Sequence, residues 1–182
     1  MLKPFSLLLL SLFLSSAAHA FILVDPYVGY EIGSGSAGSN SFKTSGINAG
    51  LRAGWLSNAE RYWLAVDYET SFDASLDYEA SDRSELKKSI IFAVAGMNFV
   101  EKPFRIWAGY GIDEWVAKET SDVTYKGNAF KVGIGYTRNK PVSINFEMFN
   151  ETFKEVSGAG GGADPDIKST SYMLSVSWPL KY

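Results

Sequence analysis

The chain has 182 residues, 46% of them hydrophobic and 15% aromatic, and no cysteine. That apolar content argues against disorder, and the missing thiols exclude a disulfide scaffold and a thiolate metal site. With 17 Lys and Arg against 20 Asp and Glu, a formal charge of −3, there is no basic surplus to neutralise phosphate, so no nucleic-acid partner is expected.

Residues 1–20 read as a secretory signal peptide. Lys3 supplies the positive start, and residues 5–14 (FSLLLLSLFL) form an apolar run of 10 residues, too short for the roughly 20 that a spanning helix needs. Ala18-His19-Ala20 then gives a small-x-small cleavage site. The mature domain is expected to be residues 21–182. Removing the leader leaves 16 basic against 20 acidic residues and takes away His19, the sole histidine. Catalytic and metal arrangements built on His or Cys are thereby excluded, and no catalytic residue, metal or cofactor is expected.

Beyond the leader, the longest apolar stretch, residues 90–100 (IIFAVAGMNFV), has 11 residues and contains Gly96 and Asn98, so a spanning helix is excluded. The chain instead alternates with period two, the mark of strands with one apolar and one polar face.

The first strand sets Val28, Tyr30 and Ile32 against Tyr27, Gly29 and Glu31. The second sets Ile47, Ala49, Leu51, Ala53 and Trp55 against Asn48, Gly50, Arg52 and Gly54. In the third, Tyr62, Leu64, Val66, Tyr68 and Phe72 oppose Trp63, Ala65, Asp67, Glu69 and Ser71. The fourth, residues 89–99, is apolar on both faces. Its outward set is taken as Ile90, Phe92 and Val94, because Phe92, Val94, Lys102, Pro103 and Ile106 recur 38 residues later as Phe130, Val132, Lys140, Pro141 and Ile144.

The fifth strand places Phe104, Ile106, Ala108, Tyr110 and Ile112 against Arg105, Trp107, Gly109, Gly111 and Asp113. The sixth places Phe130, Val132, Ile134 and Tyr136 against Lys131, Gly133, Gly135 and Thr137, and the seventh Val142, Ile144, Phe146 and Met148 against Ser143, Asn145, Glu147 and Phe149. The last runs to the C-terminus with Tyr172, Leu174, Val176, Trp178, Leu180 and Tyr182 on one face and Ser171, Met173, Ser175, Ser177, Pro179 and Lys181 on the other.

Tight turns are expected at 57–61, 100–103 and 138–141, and long polar loops at 33–45, 73–88, 114–127 and 154–169. Eight strands with short and long connections in strict alternation describe an all-β, eight-stranded antiparallel up-and-down barrel. The charged residues lie on the minority face. Turning that face outward would crowd aromatics from every strand into a lumen only wide enough for side chains or one small ligand. A transmembrane barrel, apolar to lipid and polar within, fits better than a soluble barrel around an apolar ligand.

In these features the chain resembles the small OmpA/OmpX-type outer-membrane β-barrels of Gram-negative bacteria, over essentially all of residues 21–182. The resemblance implies export to the outer membrane, with outer-membrane lipids and the insertion machinery as partners. It implies that Tyr172, Leu174, Val176, Trp178, Leu180 and Tyr182 form the sorting signal this machinery reads. Many members end in Phe, so Tyr182 departs mildly from the pattern. The peptidoglycan-binding domain of longer members is not expected. Trp55, Tyr62, Phe104, Tyr136, Trp178 and Tyr182 fall near the short-turn ends, where an aromatic girdle would sit. Enzymes among small outer-membrane barrels, such as lipid A acyl-chain transferases and deacylases, imply a catalytic His that the mature chain lacks.

Glu31, Arg52, Asp67, Glu69, Arg105, Lys131 and Glu147 are the expected lumen charges. A turn centred between Ala59 and Glu60 puts Arg52 level with Asp67, and one centred on Asn139 pairs Thr137 with Pro141 and sets Lys131 opposite Glu147. Charges in a narrow lumen must pair, since breaking a buried pair costs about 3–5 kcal/mol. The other readings are a narrow pore gated by partner exchange at Arg52 and Lys131, and acid–base work by Asp67 and Glu69.

Among the loops, Leu76, Tyr78 and Trp115 are the candidate contacts for an extracellular ligand or host surface, since binding residues concentrate on loops held by a rigid scaffold. The alternative is that the strands simply continue there as hairpins. Asp73, Asp77, Glu79, Asp82 and Glu85 read as a solvated acidic loop rather than a Ca²⁺ site, and residues 157–166 (SGAGGGADPD) as a surface loop. The expected function is a non-enzymatic envelope barrel with a plugged lumen, serving structure or surface binding, with a narrow pore as the alternative.

Overall fold

Alternating aromatic and β-branched residues suit a pleated, half-buried surface, and they produce strands throughout the chain. The computed structural model describes residues 20–38, 40–78, 84–99, 101–118, 123–137, 142–158 and 167–182. The expected signal peptide before Ala20, turn 138–141, Glu79 and Asp82 lie outside the described residues, as does most of 157–166. The strands are β1 (Phe21–Ala37), β2 (Asn40–Leu56), β3 (Tyr62–Tyr78), β4 (Ser84–Asn98), β5 (Phe104–Lys118), β6 (Val123–Tyr136), β7 (Ser143–Ser157), β8 (Ile167–Ser177) and a short β9 (Leu180–Lys181).

Each strand pairs antiparallel with its neighbour in sequence, and β1 closes the ring on both β2 and β8. The fold is therefore an all-β, eight-stranded up-and-down barrel. Its stagger follows from the register. Stepping across the ladder from Val24 leads through Ala53, Val66, Ala93, Tyr110, Phe130, Asn150 and Thr170 back to Ser34, ten residues further along β1. With eight strands such a shear tilts the strands by about 40° to the barrel axis.

The last strand does not run unbroken to the C-terminus. Proline has no N–H to give the ladder, and the strand is interrupted at Trp178 and Pro179 before β9 resumes. Register survives the break, since Tyr27 faces Ser177 and Leu23 faces Lys181. Trp178 N donates to Pro26 O at 3.0 Å, and Ile22 and Tyr182 exchange two backbone hydrogen bonds.

The outer surface carries an apolar belt. On β5 it runs from Phe104 through Ile106, Ala108, Tyr110 and Ile112, all exposed, before Glu114 ends it. Nine residues at about 3.3 Å each, tilted, give a belt roughly 23 Å tall, the height of a bilayer's hydrocarbon core at a β-barrel. Trp55, Tyr62, Phe104, Trp178 and Tyr182 are exposed at its short-turn edge, where the girdle was expected.

Four further expectations are corrected. Ile90, Phe92 and Val94 point inward, with Ile90 and Phe92 at 0% exposure, and Ile91 takes the outward place. Turn parity is the cause. Asn98 pairs with Arg105 across six intervening residues, whereas Tyr136 pairs with Ile144 across seven. A one-residue difference transfers a strand's whole apolar set to the other face, so the repeat preserves sequence but not orientation.

Lys131 lies opposite Phe149, and Glu147 opposite Gly133. The register is two residues from the expected one, because the connection is centred at position 140 rather than 139, and both side chains still face inward.

Among the described residues, the expected long loops are mostly strand. β1 and β2 meet at Gly38, whose φ of 61° suits a tight turn, and the other pairs extend past the belt as ribbons.

Leu76 and Trp115 are not exposed anchors. They are 2% and 3% exposed and sit inside the projecting barrel with Phe42, Leu86, Ala117, Phe153 and Ile167. On β3 a bulge leaves Phe72 and Asp73 both exposed and reverses the alternation, so that Ala74 and Leu76 turn inward. Trp115 simply continues the inward series of Arg105, Trp107 and Asp113. Tyr78 is the last residue of β3, and its side chain lies outside what is described.

Candidate functional site

Odd-numbered residues of β1, β5 and β6, of β3 up to Ser71 and of β7 up to Phe153, and even-numbered residues of β2 and β4 share the inward face, and pleat geometry carries their charges into the lumen. Arg52 on β2 is the centre. It is fully buried, with Nε 2.8 Å from Asp67 Oδ2, Nη1 3.4 Å from Asp25 Oδ2, and Nη2 2.8 Å from each oxygen of Glu147 across the barrel. Trp107 Nε1 donates to Glu147 Oε1 at 2.8 Å. Lys131 pairs with Asp67 and lies 3.5 Å from Glu147. Toward the short-turn end, Arg105 reaches Asp25 at 2.7 Å, Asn145 at 2.9 Å and Ser177 at 2.8 Å.

Aromatic rings complete the packing around these cations. The Arg52 guanidinium lies 4.5 Å from the Tyr27 ring centroid and 4.7 Å from that of Trp107, and Lys131 lies 4.3 Å from that of Phe92. Glycine makes room for the indoles. A Cβ at Gly133 would fall 2.3 Å from the Trp107 ring, and one at Gly96 would fall 2.2 Å from Trp63.

Above this layer, Tyr27 Oη lies 2.9 Å from Asp67 Oδ1 and 2.8 Å from Glu69 Oε2, and Asn48 Nδ2 donates to Glu69 at 2.9 Å and also to Glu31. Lys88 then joins Glu31 at 2.7 Å to Glu151 at 2.5 Å. Asp113 is buried at the same level, and neither of its carboxylate oxygens has a hydrogen-bond partner among the described residues.

All seven expected lumen charges, Glu31, Arg52, Asp67, Glu69, Arg105, Lys131 and Glu147, are thus placed in one interlinked interior. Arg52 stands level with Asp67 as turn geometry indicated. Sequence reasoning passed over Asp25, Lys88 and Glu151. The signal was available for Asp25 and Glu151, which extend the inward odd series of β1 and β7. For Lys88 it was hidden by the misassigned face of β4. The expected sorting residues Tyr172, Leu174, Val176, Trp178, Leu180 and Tyr182 all point outward.

At the short-turn end a mouth of about 400 Å³ has Leu23, Leu56, Trp63 and Arg105 in its lining, with Glu60 and Lys181 ion-paired beside it. Asp67 and Glu69 are fully buried, have Tyr27 wedged between them, and do not line this mouth.

No protein-family model matches the chain, and no curated protein matches it. Solved structures do share its architecture. Neisserial surface protein A is 17% identical over 88% of this chain and 97% of its own, with a TM-score of 0.55. The outer membrane protein OprG from Pseudomonas aeruginosa is 11% identical over 89% and 97%, with a TM-score of 0.54. Ail, the attachment invasion locus protein of Yersinia pestis, solved with the heparin analogue sucrose octasulfate, is 11% identical over 87% and 99%, with a TM-score of 0.59. At these identities the likeness is one of fold, and the fold is that of small eight-stranded outer-membrane barrels.

Proposed function

We propose that the chain is a non-enzymatic bacterial outer-membrane protein whose lumen is closed to solutes, serving envelope structure or surface binding through its projecting ribbons. The carrying observation is Arg52, fully buried and linked at once to Asp25, Asp67 and Glu147 from three other strands. A water-filled channel would leave such a residue solvated, whereas here Phe92, Phe149 and Lys131 share its burial. The same belt and girdle support outer-membrane lipids as the surrounding partner. The outward row from Tyr172 to Tyr182 supports recognition by the insertion machinery. An extracellular ligand or host surface would meet the outer faces of the ribbons, since Leu76 and Trp115 are internal.

The test is single-channel conductance of the refolded protein in a planar bilayer, with a heat-dependent gel-mobility shift verifying the fold. Silence from folded protein is expected. Reproducible current steps that change in Arg52→Ala or Glu147→Ala would overturn the closed lumen in favour of a narrow pore. One observation favours that second reading: Lys131 sits within 3.5 Å of Glu147 while bonded to Asp67, so an exchange of partners needs little movement.

A further inference from the structure

Two buried carboxyl groups share the hydroxyl of Tyr27. It lies 2.9 Å from Asp67 Oδ1 and 2.8 Å from Glu69 Oε2, and both acids are fully buried. A phenol has one hydrogen to give, and an ionised carboxylate has none. With both acids ionised, one contact would set lone pair against lone pair, or one hydrogen would be divided between two like charges, where no water screens them. The second hydrogen has to come from one of the carboxyl groups.

Their surroundings select which. Asp67 Oδ2 accepts from Arg52 Nε at 2.8 Å and from Lys131, so two cations hold its charge. Glu69 meets the neutral side chains of Tyr27 and, at Oε1, of Asn48 at 2.9 Å. Across the ladder it faces Gly50 and Ile90, whose side positions offer no donor. A carboxylate buried without a cation is costly, whereas an uncharged carboxyl with both oxygens bonded is not.

Charged groups face Glu69 from every side but one. β1 carries Asp25 and Glu31, β2 Arg52, β3 itself Asp67, β4 Lys88, β5 Asp113, β6 Lys131, and β7 Glu147 and Glu151, while β8 presents Met173 and Ser171. The three cations are engaged elsewhere: Arg52 by Asp25, Asp67 and Glu147, Lys131 by Asp67 and Glu147, and Lys88 by Glu31 and Glu151. Among the described residues, none pairs with Glu69.

We infer that Glu69 is a proton-binding site in the lumen, its carboxyl uncharged and donating from Oε2 to Tyr27 Oη, which in turn donates to Asp67 Oδ1. On the other side, Asn48 Nδ2 donates to Glu69 and to Glu31, and Glu31 accepts from Lys88 at 2.7 Å. One hydrogen-bonded column thus joins the lower ion pairs to the upper polar layer. The proton on Glu69 is the link that alkali removes. Its loss leaves one hydrogen between two carboxylates and parts the column at Tyr27. The inference concerns the lumen's own bonding and holds for a closed or a conducting barrel, so conductance leaves it untouched.

The experiment is infrared spectroscopy of the refolded mature protein, labelled with carbon-13 at the glutamate side-chain carboxyl, with the heat-dependent gel shift verifying each variant's fold. At neutral pH the wild type is expected to show the C=O stretch of a protonated glutamic acid that Glu69→Gln abolishes. Tyr27→Phe removes the acceptor of that proton and should move the same band to higher frequency. Gln keeps one donor and one acceptor in place of the acid, so the urea midpoint of Glu69→Gln should match that of wild type. At one alkaline pH, where the band has faded, the amides of Asn48 and Glu69 in wild type should exchange faster than those at the same positions in Glu69→Gln. Should Glu69→Gln not fold, the band shift in Tyr27→Phe carries the reading. A glutamic-acid band unchanged in folded Glu69→Gln, or unmoved in folded Tyr27→Phe, would overturn the inference, as would a wild-type band that persists until alkali unfolds the barrel.

Discussion

Below Glu31 the lumen is held by charges that find one another across the barrel, and above it by apolar side chains surrounding an unbalanced polar layer. Arg52, Arg105 and Lys131 serve Asp25, Asp67 and Glu147 below, while Glu69 is held by Tyr27 and Asn48. Higher up, Lys88 alone faces Glu31 and Glu151, and Asp113, Thr44 Oγ1, Ser171 Oγ and Trp115 Nε1 lack hydrogen-bond partners among the described residues. The lid over that layer is apolar, with Trp115 and Phe153 in contact at 4.6 Å between ring centroids. One interior thus uses two solutions, and they should fail differently. Removing a charge below strands its partners in low dielectric, whereas removing one above can relieve the layer.

Arg52→Ala gives the largest expected effect. It leaves Asp25, Asp67 and Glu147 facing one another with only Lys131 and Arg105 to balance them. Breaking one buried pair typically costs about 3–5 kcal/mol, so a loss at or above that range is expected. The urea midpoint of the gel-mobility shift measures it. A loss under about 1 kcal/mol would mean that the lower lumen is not held by its charges.

Next in size is Leu76→Ala, which empties a buried position in the upper cluster at an expected cost of about 2–4 kcal/mol. Because the ribbons project beyond the belt, the damage should stay local. Amides of Phe42, Thr44 and Leu86 should exchange faster, with those flanking Arg52 and Asp67 unchanged. Equal acceleration in both halves would show that the barrel opens as one unit and would remove the distinction.

The barrel was legible because period-two alternation is a local signal repeated in every strand, and Arg52 facing Asp67 was legible because their turn is short. What misled was parity. A six-residue rather than seven-residue connection turned Phe92 inward, and one bulge at Phe72 and Asp73 turned Leu76 inward. Neither leaves a mark in composition, since both faces of β4 are apolar and the bulged residues are ordinary. Polarity also misplaced the ribbons: residues 33–45 and 114–127 are polar outside yet carry Phe42 and Trp115 inside, a pattern that reads as loop when strands are assumed to end with the membrane.

Asp113→Asn sets the two halves against each other directly, with Glu147→Gln as its counterpart. Glu147 accepts from Arg52 twice and from Trp107, so the amide should cost about 1–3 kcal/mol. Asp113 accepts no hydrogen bond among the described residues, so its amide should leave stability within about 1 kcal/mol of wild type or raise it. Equal losses for the two would mean that Asp113 has an anchoring role as strong as that of Glu147.

The smallest effect comes from two Lys–Glu contacts of nearly equal length in opposite environments. Lys118 and Glu85 meet at 2.9 Å on the ribbon's outer face, where their side chains are 49% and 65% exposed, and Lys88 and Glu151 meet at 2.5 Å inside, at 4% and 0%. Water and salt screen the outer pair, and fixing two long side chains costs entropy, so a double-mutant cycle on Lys118→Ala and Glu85→Ala should give a coupling between about 0 and 1 kcal/mol that fades at high ionic strength. The same cycle on Lys88→Ala and Glu151→Ala should give a larger coupling that salt leaves unchanged, because deleting Lys88 alone strands Glu151 in low dielectric, a penalty that vanishes once Glu151 is removed too, while deleting Glu151 alone leaves Lys88 paired with Glu31. Burial, rather than contact length, then decides what an ion pair contributes, and couplings of equal size and salt dependence would refute that for this barrel.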